Sequence, residues 1–157
     1  MEVIRMISEK KIKSLVNQIG ENADAEAQFA LAHCLNDKKE AVKLYQKSAS
    51  QGNRDALFEL GICYLNGDGV NYNEKTGLNL LQKAADLGEV EALLFMGDYY
   101  IGPDLSVVDI EDSKEDIKKG INYYQQAAEK GDSIAQEKLR TAFDVINAFY
   151  KNKQTYF

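Results

Sequence analysis

The sequence is poor in the residue types that build catalytic and metal-binding sites. It has one histidine and two cysteines in 157 residues. His33 and Cys34 are adjacent, and because neighbours on a helix point about 100° apart, they cannot act as a nucleophile–base pair. Together with Cys63 they fall short of a four-ligand zinc site at usable spacing. No phosphate-binding glycine motif is present either. We therefore expect no enzyme activity, no metal site and no cofactor.

Long apolar runs are also lacking. No segment approaches the roughly 18 apolar residues of a membrane span. Charges between Arg5 and Lys13 interrupt any signal-peptide core. We therefore expect a cytoplasmic protein without a membrane span.

An excess of positive charge is absent as well. The net charge is −6, and the pI is near 4.9. Lysine and arginine are spread along the chain rather than striped, which argues against nucleic-acid binding. The acidity favours a basic protein partner instead. With a single proline, the composition is that of a helical domain.

What the sequence does contain is a repeat. The stretch Arg54–Glu89 has the pattern of a helix, a glycine-rich turn, a second helix and a terminating glycine. A small residue opens the first helix of each copy: Ala27, Ala56, Ala92 and Ala135. Four positions later stands a large apolar residue: Leu31, Leu60, Met96 and Leu139. One further position is small in three copies and Arg140 in the fourth. Two helices alone cannot bury both apolar faces, so each copy needs neighbours.

Glycines and caps mark the helix boundaries of each copy. Each second helix is followed by a glycine: Gly52, Gly88 and Gly131. Glycine suits the left-handed residue that ends a helix. Asn53 and Asp132 follow as N-caps of the next helix. Gly61 and Gly97 should let a neighbouring helix approach closely, at a cost of about 1 kcal/mol each in helix propensity.

These positions resemble the Sel-one-like repeat, a relative of the tetratricopeptide repeat. The shared pattern is A-x-x-x-L-G-x-x-Y-x-x-G-x-G-V, a turn, and K-A-x-x-x-Y-x-K-A-A-x-x-G. The second copy matches best, the third departs in its turn from Gly102 to Asp116, and the first lacks that turn at Asn36–Asp37. The resemblance covers about residues 24–145. It implies an all-α, right-handed α-solenoid of about three stacked helix–turn–helix repeats with capping helices.

The resemblance also sets the domain organisation. We expect one domain over 1–157, with repeats at 24–53, 54–89 and 90–132. Residues 1–20 and 133–157 should form capping helices, although the first could instead bind a partner or dimerise. The repeat helices are expected over 21–37, 38–50, 55–65, 73–87, 91–101 and 115–130, and the helix of the C-terminal cap over about 133–151.

The two cysteines occupy equivalent places in successive copies. Equivalent positions in stacked helices lie about 8–10 Å apart, beyond the roughly 7 Å Cα limit for a disulfide. Cys34 and Cys63 should therefore be reduced, half-buried thiols, consistent with a cytosolic location.

Two turns contain residues that could suggest a cation site. Asn66–Gly69 superficially resembles a calcium loop but lacks the later acidic ligands, and the turn of the repeat explains it better. The acidic loop Asp104–Asp116 could hold a cation weakly, but a solvated loop is the favoured interpretation.

The partner-binding surface is predicted from the resemblance. In tetratricopeptide-like arrays the first helix of each repeat lines the concave face. The residues predicted to face a partner are Glu26, Phe29, His33, Asp55, Phe58, Ile62, Leu65, Glu91, Leu94 and Asp98. An apolar strip edged by carboxylates suits a basic amphipathic helix or peptide. The alternative is that the acids only complement helix N-termini and the aromatic residues belong to the core.

Two classes of function follow. The first is a non-catalytic protein-interaction module, including a bacterial immunity-type protein that neutralises a toxin. The second is a regulatory or accessory component of enzymatic machinery, such as cell-envelope assembly. The oligomeric state is not predicted by the sequence.

Overall fold

The computed structural model describes Ser14, residues 23–102, Leu105 and residues 108–154. These residues form seven α-helices and no strand, which confirms the all-α fold class. The helices are α1 (Ala25–His33), α2 (Lys38–Ser50), α3 (Arg54–Asn66), α4 (Glu74–Asp86), α5 (Val90–Ile101), α6 (Lys114–Glu129) and α7 (Ser133–Gln154). The predicted helix over 1–20 lies outside the described residues, Ser14 apart.

Side-chain caps fix where the helices begin. Asn53 Oδ1 accepts a hydrogen bond from Ala56 N at 2.8 Å, and Asp132 Oδ1 accepts one from Ala135 N at 2.7 Å. Both predicted N-caps are confirmed. Asp24 caps α1 in the same way, and Asp37 caps α2. The sequence predicted the first helix over 21–37, but α1 spans only 25–33. Asp24 caps its start, and Asp37 caps the start of the next helix, so residues 34–37 form the turn between the two helices.

Glycines end the helices as the sequence predicted. Gly52, Gly88 and Gly131 have φ values of 88°, 76° and 90°, a left-handed conformation that disfavours any side chain. Glycine also turns the chain between α3 and α4, where Gly69 has φ of 71° and packs against the Lys38 carbonyl at the start of α2.

The chain divides after Leu80 into two compact halves. In the N-terminal half, α2 packs against both α1 and α3. Its core contains Ala32, Ala41, Val42, Leu44, Tyr45, Ala56, Leu60 and Cys63. A Cβ added at Gly77 would lie 2.7 Å from Leu65 Cγ and 2.9 Å from the Gly61 carbonyl oxygen. The sequence predicted close packing at Gly61 but not the glycine on the facing helix.

In the C-terminal half, α6 packs against both α5 and α7. Its core contains Ile101, Leu105, Ile110, Ile117, Tyr124 and Ala142. The close approach predicted at Gly97 is confirmed, because an added Cβ would overlap the Tyr124 ring. On the facing helix α6, a Cβ added at Gly120 would lie 2.9 Å from the Gly97 carbonyl oxygen.

Helix α7 covers this core with only part of its predicted apolar face. Ile146 and Phe149 pack against the C-terminal core. In the sequence, Phe143 and Tyr150 belong with Ile146 and Phe149 to the amphipathic pattern of this helix, but both are exposed. Arg140 is also exposed and pairs with Glu137, consistent with no further helix crossing at that position.

Candidate partner-binding surface

All ten predicted partner-facing residues lie on the first helices of their repeats, α1, α3 and α5. None of them is fully buried. Glu26, His33, Glu91 and Asp98 are exposed, and the other six are partly exposed. The placement is therefore compatible with a surface role for each residue, but their contacts differ.

On α1, two predicted residues belong to an aromatic group that also includes Tyr45 of α2. The Phe29 ring lies 5.7 Å from His33 and 5.9 Å from Tyr45. The Tyr45 hydroxyl lies 3.3 Å from His33 Nδ1. Phe29 also packs against the N-terminal core, so it stabilises the repeat as well as presenting one edge to solvent.

The remaining apolar residues fall into two groups. Leu65 covers Gly77, and Leu94 packs against the C-terminal core, so both have structural roles. Phe58 and Ile62 are partly exposed and lie four residues apart, on one face of α3.

Each carboxylate on the first helices has a different environment. Glu26 Oε1 accepts a hydrogen bond from Asn53 Nδ2 at 3.2 Å. Asp55 Oδ1 lies 3.5 Å from Arg54 Nε, with about half of each side chain exposed. Glu91 is hydrogen-bonded to the side chain of Glu89. All three therefore remain solvent-accessible while touching groups of their own chain.

Glu89, which the sequence did not single out, caps α5. Its two carboxylate oxygens accept hydrogen bonds from the backbone N–H groups of Glu91 and Ala92. Only 6% of Glu89 is exposed. Burial, and secondarily the hydrogen bond to the Glu91 carboxyl group, raises the pKa of Glu89 to about 7.

Asp98 is already paired within the chain. Its Oδ1 accepts a hydrogen bond from the Tyr124 hydroxyl and lies 2.7 Å from Lys138 Nζ of α7. The Lys138 ammonium also lies 5.5 Å from the centre of the Tyr124 ring. Burial and the nearby Asp98 raise the pKa of the Tyr124 hydroxyl. A partner that binds Asp98 must therefore compete with Lys138.

The first helices of the repeats are more acidic than the second helices, which was not predicted from the sequence. The first helices α1, α3 and α5 carry five carboxylates and one cation, Arg54. The carboxylates are those of Glu26, Asp55, Glu59, Glu91 and Asp98. Of the second helices, α2 carries four lysines and one glutamate, whereas α4 and α6 each carry equal numbers of lysines and acidic residues. The net charge of the whole chain does not show this difference between the helices.

The acidic loop is organised by its own backbone where the structure describes it. Asp109 Oδ1 accepts hydrogen bonds from the N–H groups of Glu111 and Asp112, and Leu105 and Ile110 are buried in the C-terminal core. Asp104 lies outside the described residues. Among those described, no group of three or more histidine, cysteine or acidic side chains is arranged to hold a metal ion.

Neither cysteine forms a disulfide. Cys63 is buried and Cys34 is exposed, whereas the sequence predicted that both would be half-buried. The difference follows from the short α1, since Cys34 lies just beyond its last residue.

None of the helices in the described ranges is long and apolar enough to cross a membrane.

Solved structures of similar proteins share this fold. A Sel1 repeat protein from Oxalobacter formigenes superposes with a TM-score of 0.63 at 22% sequence identity, covering 87% of this chain and 57% of that one. A protective antigen of uropathogenic Escherichia coli that displays an SLR fold gives a TM-score of 0.58 at 25% identity. That match covers 74% of this chain and 25% of the antigen. A search of curated proteins finds no match.

The family model for the Sel1 repeat matches three consecutive segments, 25–53, 54–89 and 90–132. These segments agree with the repeat boundaries expected from the sequence to within one residue. Together they cover more than half of the chain, so the protein belongs to the Sel1 repeat family.

Proposed function

We propose that this protein is a non-catalytic interaction module that binds a basic protein or amphipathic peptide on its first helices. Sel1 repeats generally serve as protein–protein interaction modules. The observation that carries the proposal is the combination of partly exposed apolar side chains and excess carboxylates on α1, α3 and α5. A basic amphipathic segment matches both features, because its apolar face and its cations have complementary partners there.

Phe58 is the side chain on which the proposal is tested most directly. It lies in the repeat that follows the family pattern best, and it is partly exposed beside Ile62. Desolvated aromatic anchors carry much of the energy of protein interfaces. We therefore expect Phe58→Ala to weaken binding by about 2 kcal/mol or more, mainly through faster dissociation.

The measurement is surface plasmon resonance with a partner recovered from the native host. Tyr72→Ala is the matched control, because Tyr72 is an aromatic residue with 63% exposure that lies in the turn after α3 and not on a first helix. Circular dichroism verifies that both variants are folded. Equal affinities of the folded Phe58→Ala variant and the wild type would place the binding site elsewhere.

The narrower functions predicted from the sequence belong to this proposal. Toxin neutralisation would be supported if the recovered partner is a toxin that this protein inhibits. An accessory role in enzymatic machinery would be supported if the partner is an enzyme whose activity or assembly changes on binding. In both cases Phe58→Ala should weaken binding of the partner.

A further inference from the structure

Three equivalent repeat positions carry polar side chains in each half of the chain. In the C-terminal half they are Asp98, Tyr124 and Lys138. The Tyr124 hydroxyl and the Lys138 ammonium meet at Asp98 Oδ1, and Lys138 Nζ also lies 5.5 Å from the Tyr124 ring centre. A cation therefore binds a carboxylate beside a tyrosine ring, where charge and cation–π attraction act together.

The corresponding positions in the N-terminal half are His33, Tyr45 and Glu59. The register follows from the repeat: His33 and Asp98 each stand six residues after an opening alanine, and Glu59 and Lys138 each stand three residues after one. Tyr45 and Tyr124 each stand seven residues before a terminating glycine. The three positions are therefore the same, but the charged residues are exchanged.

The polar contact within the N-terminal group is made by Tyr45. This side chain is only 7% exposed, and its hydroxyl contacts His33 Nδ1 at 3.3 Å. Burial, followed by the negative charge of Glu59, raises the pKa of Tyr45 to about 12. Glu59 thus affects Tyr45 through its charge, whereas Asp98 accepts a hydrogen bond from the Tyr124 hydroxyl.

The two groups differ in whether the carboxylate has a cation. Lys138 neutralises Asp98 at 2.7 Å. In the part of the chain that the structure describes, Glu59 forms no ion pair. It is partly exposed and lies next to the proposed anchor Phe58 on α3, so a cation from another molecule can reach it.

We propose that Glu59, at the repeat position that Lys138 occupies in the C-terminal half, binds a lysine or arginine side chain of the partner. The contact between Lys138 and Asp98 is an intrachain ion pair of the same kind, with the cation and the carboxylate at exchanged repeat positions. The inference rests on the proposed function, because it specifies which carboxylate of the acidic first helices receives the partner's cation. Asp98 is not that carboxylate, since Lys138 already occupies it.

The test uses a synthetic amphipathic peptide of leucine and lysine at helical spacing, titrated into ¹⁵N-labelled protein and followed by NMR. Glu59→Gln removes the carboxylate with little change in shape and should raise Kd about fivefold, the size expected for an exposed ion pair. Glu59→Lys places a cation at this position and should weaken binding further. Glu74→Gln removes an equal charge from α4, away from the site, and should change Kd less than twofold.

The outcomes separate this inference from the proposed function. If the peptide binds but Glu59→Gln and Glu74→Gln raise Kd equally, only the overall charge matters and the inference is wrong, whereas the role of Phe58 stands. If the peptide does not bind the wild type, both the inference and the preference for a basic partner fail. Circular dichroism checks each variant, and Glu59→Gln decides the question even if Glu59→Lys does not fold.

Discussion

Replacing Gly97 by alanine should destabilise the protein through a single contact. Gly97 is buried in α5, and an added Cβ would lie closer than 3.0 Å to two atoms of the Tyr124 ring on α6. The ring has little room to move, because Tyr124 is 3% exposed and its hydroxyl is hydrogen-bonded to Asp98. The helices would have to separate or the tyrosine would have to leave its position.

The magnitude follows from two opposing effects. Alanine gains up to about 1 kcal/mol in helix propensity over glycine. Overpacking of a well-packed core costs about 1–3 kcal/mol, and losing the hydrogen bond of Tyr124 would add about 0.5–1.5 kcal/mol. The packing cost exceeds the propensity gain, so we expect a net destabilisation of about 1–3 kcal/mol. For a chain of this size, each kcal/mol lowers Tm by about 2–4 °C.

Urea unfolding followed by far-UV circular dichroism measures this effect, and a double-mutant cycle assigns it. The second substitution is Tyr124→Leu. Leucine is the residue at the equivalent position of the second repeat, Leu81. Without the ring, Gly97→Ala should cost at least about 1 kcal/mol less than in the wild type, because contacting residues couple by such amounts. A stabilising Gly97→Ala, or an equal cost in both backgrounds, would refute the packing argument.

Two further predictions concern pH and helix α7. Because the pKa of Glu89 is about 7 in the folded protein and 4.5 is its ordinary value, the folded state holds the proton more tightly. The stability from this group is therefore fully present below about pH 4.5 and is lost as the pH rises through about 7. Glu89→Gln should remove that loss. We therefore expect the unfolding free energy of the variant, minus that of the wild type, to increase from pH 5 to pH 8. A difference that stays constant with pH would contradict the raised pKa of Glu89. Truncation after Gly131 should expose Ile101 and Tyr124, because both belong to the cluster that α7 covers. The truncated protein should therefore bind more of a hydrophobic dye. Unchanged dye binding and stability would show that α7 is dispensable.

The candidate site was only partly predictable from the sequence. The repeat register placed Phe58 and Ile62 on a first helix, and the structure finds both partly exposed there. The same register treated His33 and Asp98 as free to face a partner. Each instead contacts a tyrosine of the second helix of its own repeat. Sequence spacing specifies the helix face of a residue, but it does not reveal which side chain from another helix meets it.

The sequence by itself determined the features that depend on a few neighbouring residues. Asn53 and Asp132 cap helices by binding N–H groups three residues ahead, and Gly52 and Gly131 adopt a positive φ. Such local interactions need no knowledge of the rest of the chain, because their partners lie within one helical turn.

Only the tertiary structure decided the features that join distant segments. Lys138 reaches Asp98 across 40 residues of sequence, and Gly120 lets α6 approach the Gly97 carbonyl oxygen. The raised pKa of Glu89 likewise requires its burial. These contacts depend on how the helices pack, and the energies of burial and ion pairing are defined only once the surrounding side chains are in place.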